Sequence, residues 1–348
     1  MTDIQSITDV RAITDPFEIQ FPKLGWTFHV NPTAFTIFGL DIQWYGIIIT
    51  FGLILALLYV MPKMKRFGLD GERALDAIIC GVLGGIIGAR AYYVIFNWDS
   101  YKGNLSAIVN TRNGGLAIYG GIIGSVAVGL IICKIRKVRL LPMLDISSLG
   151  FLIGQGIGRW GNFVNQEAFG SNTDSIFGMT GGNIQSVIFR NTVYSDGSMV
   201  GLGMNYLQPV HPCFLYESFW CLLGFLIIST YSRHRKYDGQ IMLMYVAWYG
   251  AERYVVEGLR TDSLMAGDIK VSQLLSLVIC IVSVAIQVGM IFLRRIRPDK
   301  FVLYCNTDES RELLEQARKR MYGDDEEYQA ITDNDGEEDS PEDIKEEI

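Results

Sequence analysis

The sequence predicts an all-α membrane protein with seven transmembrane helices, on three observations: its composition, the length of its apolar runs and the placement of its basic residues. Of 348 residues, 49% are hydrophobic and only 19% charged, and the mean hydropathy is +0.24. That balance exceeds what a soluble domain carries and fits a polytopic chain whose helices face lipid. Apolar runs near the roughly 17–25 residues that a bilayer requires can be drawn at 45–61, 77–96, 116–133, 144–163, 213–231, 241–257 and 271–293. The loops at 62–75, 134–143 and 232–240, with 294–300 beyond the last run, hold 15 Lys and Arg in 40 residues, against 7 in the 125 residues of the opposite side. By the positive-inside rule the N-terminus lies outside and the C-terminus is cytoplasmic.

Residues 1–44 are read as an extracytoplasmic N-terminal segment. They lack the basic and apolar regions of a cleavable signal peptide, so the mature chain is expected to keep them. Residues 45–295 are read as the membrane domain. Its second to fourth spans carry glycine at four-residue spacing, as in Gly81 and Gly85, Gly84 and Gly88, Gly120 and Gly124, Gly150 and Gly154, and Gly154 and Gly158. Small residues so spaced let helix backbones approach closely in lipid, and these spans are expected to form the central bundle. GIGRWG at 156–161 matches GxGxxG literally, but without a preceding strand or a βαβ unit it is not a dinucleotide site. The outer segment 164–212, rich in Gly, Asn and Ser, is too long for a turn and is expected to form a small extracytoplasmic head. Residues 296–348 are read as a cytoplasmic, acidic, disordered tail. Residues 322–348 alone hold thirteen Asp and Glu against one Lys, so the formal charge of −7 conceals a net of +5 elsewhere. Nothing in such a tail fits a nucleic-acid partner. The six cysteines lie mostly in apolar runs without CxxC spacing and imply packing, with neither a metal site nor a disulfide framework.

Spans one, three and seven carry no formal charge, so the charges of the others are informative. Arg90 falls in the outer half of span two, and Arg159 and Asn162 end span four. His211, Tyr216 and Glu217 open span five, and Glu252, Arg253 and Glu257, followed by Arg260, end span six. All are read as lying in the outer halves. A charge at mid-bilayer costs about 2.5–3.5 kcal/mol even on the lenient insertion scale, so such residues pair or face a cavity. Any one of them could be an interfacial anchor. As a set they favour one leaflet, and Arg253, Glu257 and Arg260 share a helical face, as do Arg159 and Asn162. Facing stripes of this kind would make a basic pocket with carboxylates that orient the guanidinium forks, suited to a lipid phosphate.

GRWGNFVNQEAFG at 158–170 resembles the signature of the bacterial prolipoprotein diacylglyceryl transferases. It is joined in the family's order by NPTAFTIFGLDIQWYG at 31–46, IYGGIIG at 118–124, HPCFLYES at 211–218 and ERYVVEGLRTD at 252–262, so the resemblance covers about residues 30–295. It implies a multi-pass enzyme of the bacterial plasma membrane. The implied reaction moves the diacylglyceryl group of phosphatidylglycerol to the lipobox cysteine thiol of a prolipoprotein signal peptide, forming a thioether and releasing glycerol phosphate. It brings no cofactor with it. Carried over by motif position, Tyr45, Asn162, Glu167, Gly170, Arg253 and Glu257 are expected catalytic residues, and Arg159, Arg253 and Arg260 are expected to bind the lipid. Where some members have a His before the paired glycines of the third span, this chain has Tyr119. A phenol is a weak base at neutral pH, so Tyr119 is expected to orient the headgroup while the arginines lower the thiol pKa and stabilise the departing phosphate. His211 is the other candidate base, although a His before Pro at a helix start also serves as a cap. A transporter of an anionic or lipid-like substrate is the competing reading, but it calls for repeats or interrupted helices around a midplane site, and neither is evident.

Overall fold

The computed structural model of the chain describes residues 15–103, 105–110, 114–192, 204–261, 265–266 and 269–322. All seven apolar runs fold as helices: α1 (Trp44–Lys63), α2 (Gly71–Phe96), α3 (Ile118–Ile135), α4 (Leu140–Asn165), α5 (Cys213–Tyr231), α6 (Gln240–Leu259) and α7 (Val271–Ile296). Among the described residues six of them, α1 to α5 and α7, are long and apolar enough to cross a membrane. The α6 helix equals α1 in length, but Glu252, Arg253 and Glu257 dilute its apolar run. The chain divides into two compact units, residues 1–62 with 144–301 and residues 63–143 with 302–348.

In the first unit, close helix approaches use small residues. Gly150 of α4 packs on Val60 and Ala56 of α1, and Gly156 packs on Cys221 and Leu222 of α5. The indoles of Trp220 and Trp248 stack at 4.7 Å and each donates its N–H to the other's carbonyl, which joins α5 to α6. Asp145, fully buried on α4, accepts from the N–H groups of Gly239 and Met242 and so caps the N-terminus of α6. This corrects the expectation that charge is confined to the outer halves of the spans. Asp145 lies at the opposite end of α4 from Arg159, where backbone donors satisfy it.

Short strands begin the same unit: β1 (Glu18–Phe21), β2 (Trp26–His29), β3 (Thr33–Ile37) and β4 (Leu40–Gln43). With β5 (Thr180–Gly181), β1 and β2 form an antiparallel sheet in the order β2-β1-β5. The alternation in β1 buries Ile19 and Phe21, which join Phe169, Met179, Ile184 and Ile188 in an apolar core. The head expected from 164–212 therefore includes the N-terminal segment, because a two-residue strand and one helix (Gly182–Thr192) cannot close a core alone. Residues 193–203 of that segment lie outside the described residues.

In the second unit α2 and α3 meet along the glycine seam. A Cβ on Gly88 would overlap the carbonyl of Gly120, and one on Gly124 would overlap that of Gly84. After α7 come the turns Pro298–Lys300 and Tyr304–Asn306 and the helix α8 (Asp308–Tyr322). Residues 298–322 are thus folded, which corrects the reading of 296–348 as one disordered tail. The like-charge run begins only at Asp324. The α8 sequence balances its charges, with Asp308 and Glu309 in the first turn and Lys319 and Arg320 in the last, as the helix dipole favours. Residues 323–348 lie outside the described residues.

Candidate active site

Three helices of the first unit bring their charges to one carboxylate. Glu217 enters on the first turns of α5 and is completely buried, and one of its oxygens lies 3.1 Å from Nη1 of Arg159 on α4. Its other oxygen accepts from Nη1 of Arg253 on α6 at 3.2 Å. Arg253 also meets Glu257 one turn on, with 2.5 Å from its Nη2 to the carboxylate. A buried ion pair is favourable only where each charge finds a partner, and the alternation of arginine, glutamate, arginine, glutamate supplies this. Arg159 and Arg253 keep 19% and 20% of their side-chain surface exposed. A guanidinium has five N–H donors in a fixed fork, so each has donors left over to grip an anion.

The signature around Arg159 is held from several directions. The ring of Tyr45, at the start of α1, lies against Gly161, where any Cβ would overlap it. Asn162 and Asn165 both donate to Oε1 of Glu167, at 3.2 and 3.3 Å, across the turn that ends α4. Gln166 turns left-handed at φ 53° and is buried. Its side chain donates to Pro16 O and accepts from the N–H groups of Asn183 and Ile184. One side chain thus joins the end of α4 to the N-terminal segment and the head helix. Gly170 sits where three backbones converge: a Cβ there would stand 2.9 Å from His211 Cβ and 3.1 Å from both Cys213 Sγ and Leu259 O. It pairs in a β-bridge with Arg260, the residue that ends α6, and donates its N–H to His211 O. His211 itself lies 3.2 Å from the Tyr216 hydroxyl through Nδ1, and burial holds its pKa below 6.5.

The structure thus brings Arg159, Glu217, Arg253 and Glu257 into one chain of contacts and binds the segment carrying Asn162, Glu167, Gly170 and His211 to the ends of α4 and α6. Tyr119, on α3, belongs to the second unit and is 65% exposed. Arg90 in that unit is buried and spends its whole fork on its own loop. Its Nε donates to Ile108 O, its Nη1 to Gly114 and Gly115 O, and its Nη2 to Ala107 and Asn110 O. Five donors meet five carbonyls, so this arginine organises the connection between α2 and α3. Sequence reasoning missed Gln166, Asp145 and Lys270, which act through backbone groups distant in sequence.

The sequence profile described as prolipoprotein diacylglyceryl transferase matches residues 32–289. Curated relatives named phosphatidylglycerol-prolipoprotein diacylglyceryl transferase are similar over most of their length. That of Finegoldia magna is 43% identical over 260 residues, 74% of this chain and 95% of the relative. That of Listeria innocua serovar 6a is 40% identical over 268 residues, 77% of this chain and 91% of the relative. That of Clostridioides difficile is 40% identical over 249 residues, covering 72% and 91%. With the profile spanning the helices that carry Arg159, Glu217 and Arg253, and these relatives at about 40% identity over most of the chain, the chain belongs to the prolipoprotein diacylglyceryl transferase family.

Proposed function

We propose that this chain transfers the diacylglyceryl group of phosphatidylglycerol to the lipobox cysteine thiol of prolipoprotein signal peptides, in the plasma membrane, with Arg159 and Arg253 gripping the lipid phosphate. The observation that carries the reading is the buried Glu217 held between two guanidiniums from different helices. It fixes both forks in place before any ligand arrives, which is the preorganisation that charge stabilisation requires. In the reaction the thiol gives its proton to solvent, its sulfur forms a bond to the glyceryl carbon, and the bond from that carbon to the phosphate oxygen breaks with its electron pair staying on the oxygen. Glycerol phosphate leaves. The phosphate goes from a monoanionic diester to a monoester with more charge, so donors fixed around it favour the transition state over the ground state.

Arg260 extends the same face at the end of α6, and Tyr45, Asn162, Glu167 and Gly170 build the wall in which Arg159 is held. His211 orients rather than deprotonates, since burial lowers its pKa and makes it a poor base for a thiol, and the Tyr119 phenol is too weak a base to take that part. In this reading α6 is the seventh crossing, since Arg253 and Glu257 are paired within the unit and Glu252 is buried in it, so none of the three need face lipid. The N-terminus and the strand-built head then lie outside, residues 45–295 form the membrane domain, and 296–348 lie in the cytoplasm. The test is an in vitro assay with phosphatidylglycerol and a lipobox peptide. Arg159→Ala and Arg253→Ala are each expected to lower transfer roughly a hundred- to thousandfold with loss of lipid binding; unchanged lipid binding in both would reject the phosphate site.

A further inference from the structure

The C-terminal turn of α6 carries Glu257 and ends at Arg260, and its carbonyls can be accounted for one by one. Val256 O accepts from Arg260 N, and Leu259 O accepts from Ser171 N. The remaining three, those of Glu257, Gly258 and Arg260, all accept from one side chain, Nζ of Lys270, at 2.9, 3.0 and 2.7 Å. A lysine ammonium has three N–H donors and no acceptor, so Lys270 is saturated. Its charge also stands at the negative end of the helix dipole, where a cation is favoured. Two strands, β6 (Met265–Ala266) and β7 (Ile269–Lys270), form a small hairpin whose register pairs Met265 with Lys270. Lys270 is also the residue before α7, so this one side chain ties the end of α6 to the start of the next helix. At the opposite end α6 is capped by Asp145. The helix bearing Arg253, Glu257 and Arg260 is thus pinned at both ends by residues outside it.

We propose that Lys270 is a positioning residue for the lipid-phosphate site, holding the last turn of α6 in the register that keeps Glu257 and Arg260 on the face of Arg253. The inference rests on the reading of those arginines as the phosphate grip. Helix ends fray when their carbonyls lose partners. Without Lys270 the last turn populates frayed forms that cannot bind lipid, while the contacts among Arg159, Glu217 and Arg253 further back persist. Affinity should therefore suffer more than turnover, because apparent affinity scales with the competent fraction.

The experiment uses the full chain in mixed micelles of phosphatidylglycerol with a lipobox peptide, measuring kcat and the KM for the lipid. Lys270→Met is expected to raise that KM about tenfold with kcat changed less than about twofold. Lys270→Arg should restore most of the affinity, since a guanidinium can also donate to C-terminal carbonyls. If Lys270→Met loses the fold, Lys270→Gln, whose amide keeps two N–H donors, carries the same test. An unaltered KM in the folded variant, a fall in kcat alone, or an arginine variant no better than methionine overturns the proposal. Arg253→Ala, assayed alongside, separates the two readings. If it and Arg159→Ala both bind phosphatidylglycerol unchanged, the phosphate site itself fails; if they lose binding while Lys270→Met keeps it, only the role of Lys270 fails.

Discussion

Arg90 is buried and Arg159 half-buried, each near the end of an apolar helix, yet the two units of the molecule use them in opposite ways. Arg90 meets five carbonyls of the loop it belongs to, so the same guanidinium that closes the loop has no donor left for anything else. Arg159 meets a carboxylate through one end of its fork and keeps the rest. The difference lies in the partner. Neutral carbonyls exhaust donors without neutralising charge, whereas a buried carboxylate neutralises charge while occupying few donors. An anion-binding arginine needs the second arrangement.

This comparison breaks most easily at Glu217. Replacing it with Ala leaves two guanidiniums without their shared counter-charge, and breaking a buried pair costs about 3–5 kcal/mol. Glu217→Ala is expected to lower transfer by roughly a thousandfold in the peptide assay, since misplaced donors no longer match the leaving phosphate. Arg90→Lys should behave differently. Three donors facing five carbonyls leave at least two unsatisfied, at a cost of about 2–4 kcal/mol in stability, with the KM for phosphatidylglycerol unchanged. A raised KM in Arg90→Lys, or wild-type transfer in Glu217→Ala, would erase the distinction.

The second unit also owes stability to its C-terminal segment. Arg320 pairs with Asp70 and Glu72 at the start of α2, and Glu309 pairs with Arg139, whose guanidinium lies 5.5 Å from the ring of buried Tyr304. Ser310, fully buried, donates to Gly68 O at 3.0 Å. Gly68 itself takes φ 76°, and a Cβ there would overlap the Ser310 hydroxyl. The exposed pairs on Glu72 and Glu309 contribute little individually, so most of the effect comes from the buried Asp70, Tyr304 and Ser310. Truncation after Phe301 is expected to lower the stability of the purified protein by about 2 kcal/mol. Truncation after Tyr322, which removes only the acidic run, should leave denaturation unchanged; equal losses in both would place the stabilisation in the acidic run instead.

Much of the helical scaffold was legible because each apolar run is bounded by charge or turn residues. The expected 213–231 coincides with α5, and 241–257 lies within α6. The strands at 18–43 were not read, since strands of four or five residues leave too short an alternation, and β1 gains its second partner, β5, from residues 180–181. The arginines were legible as a set, but sequence alone did not separate Arg90 from Arg159. Both are isolated cations in apolar surroundings, and only the loop that folds back on Arg90 distinguishes them. Gln166, Asp145 and Lys270 were illegible for a related reason. Each serves backbone groups of another element, and backbone groups leave no residue-type signal.

The smallest expected effect concerns His211, beside the close approach at Gly170. Burial disfavours the imidazolium there, so its folded pKa lies below the unfolded value of 6.5. At neutral pH the ring is uncharged in both states and costs nothing. As pH falls below about 6.5, the unfolded chain binds a proton that the folded chain resists, so stability declines until the folded pKa is passed. His211→Asn should remove that part of the acid slope while retaining a polar partner for Tyr216. His29 does not confound the difference, because its pairing with Asp15 is common to both proteins. Turnover of the same variant tests the chemistry: an orienting residue predicts a loss of less than about tenfold, while a general base would account for about 10²–10⁴. A loss in the upper range, with the acid limb of the rate profile abolished, would move the proton transfer from the arginine-activated thiol to His211 and make the segment around Gly170 a direct part of the chemistry.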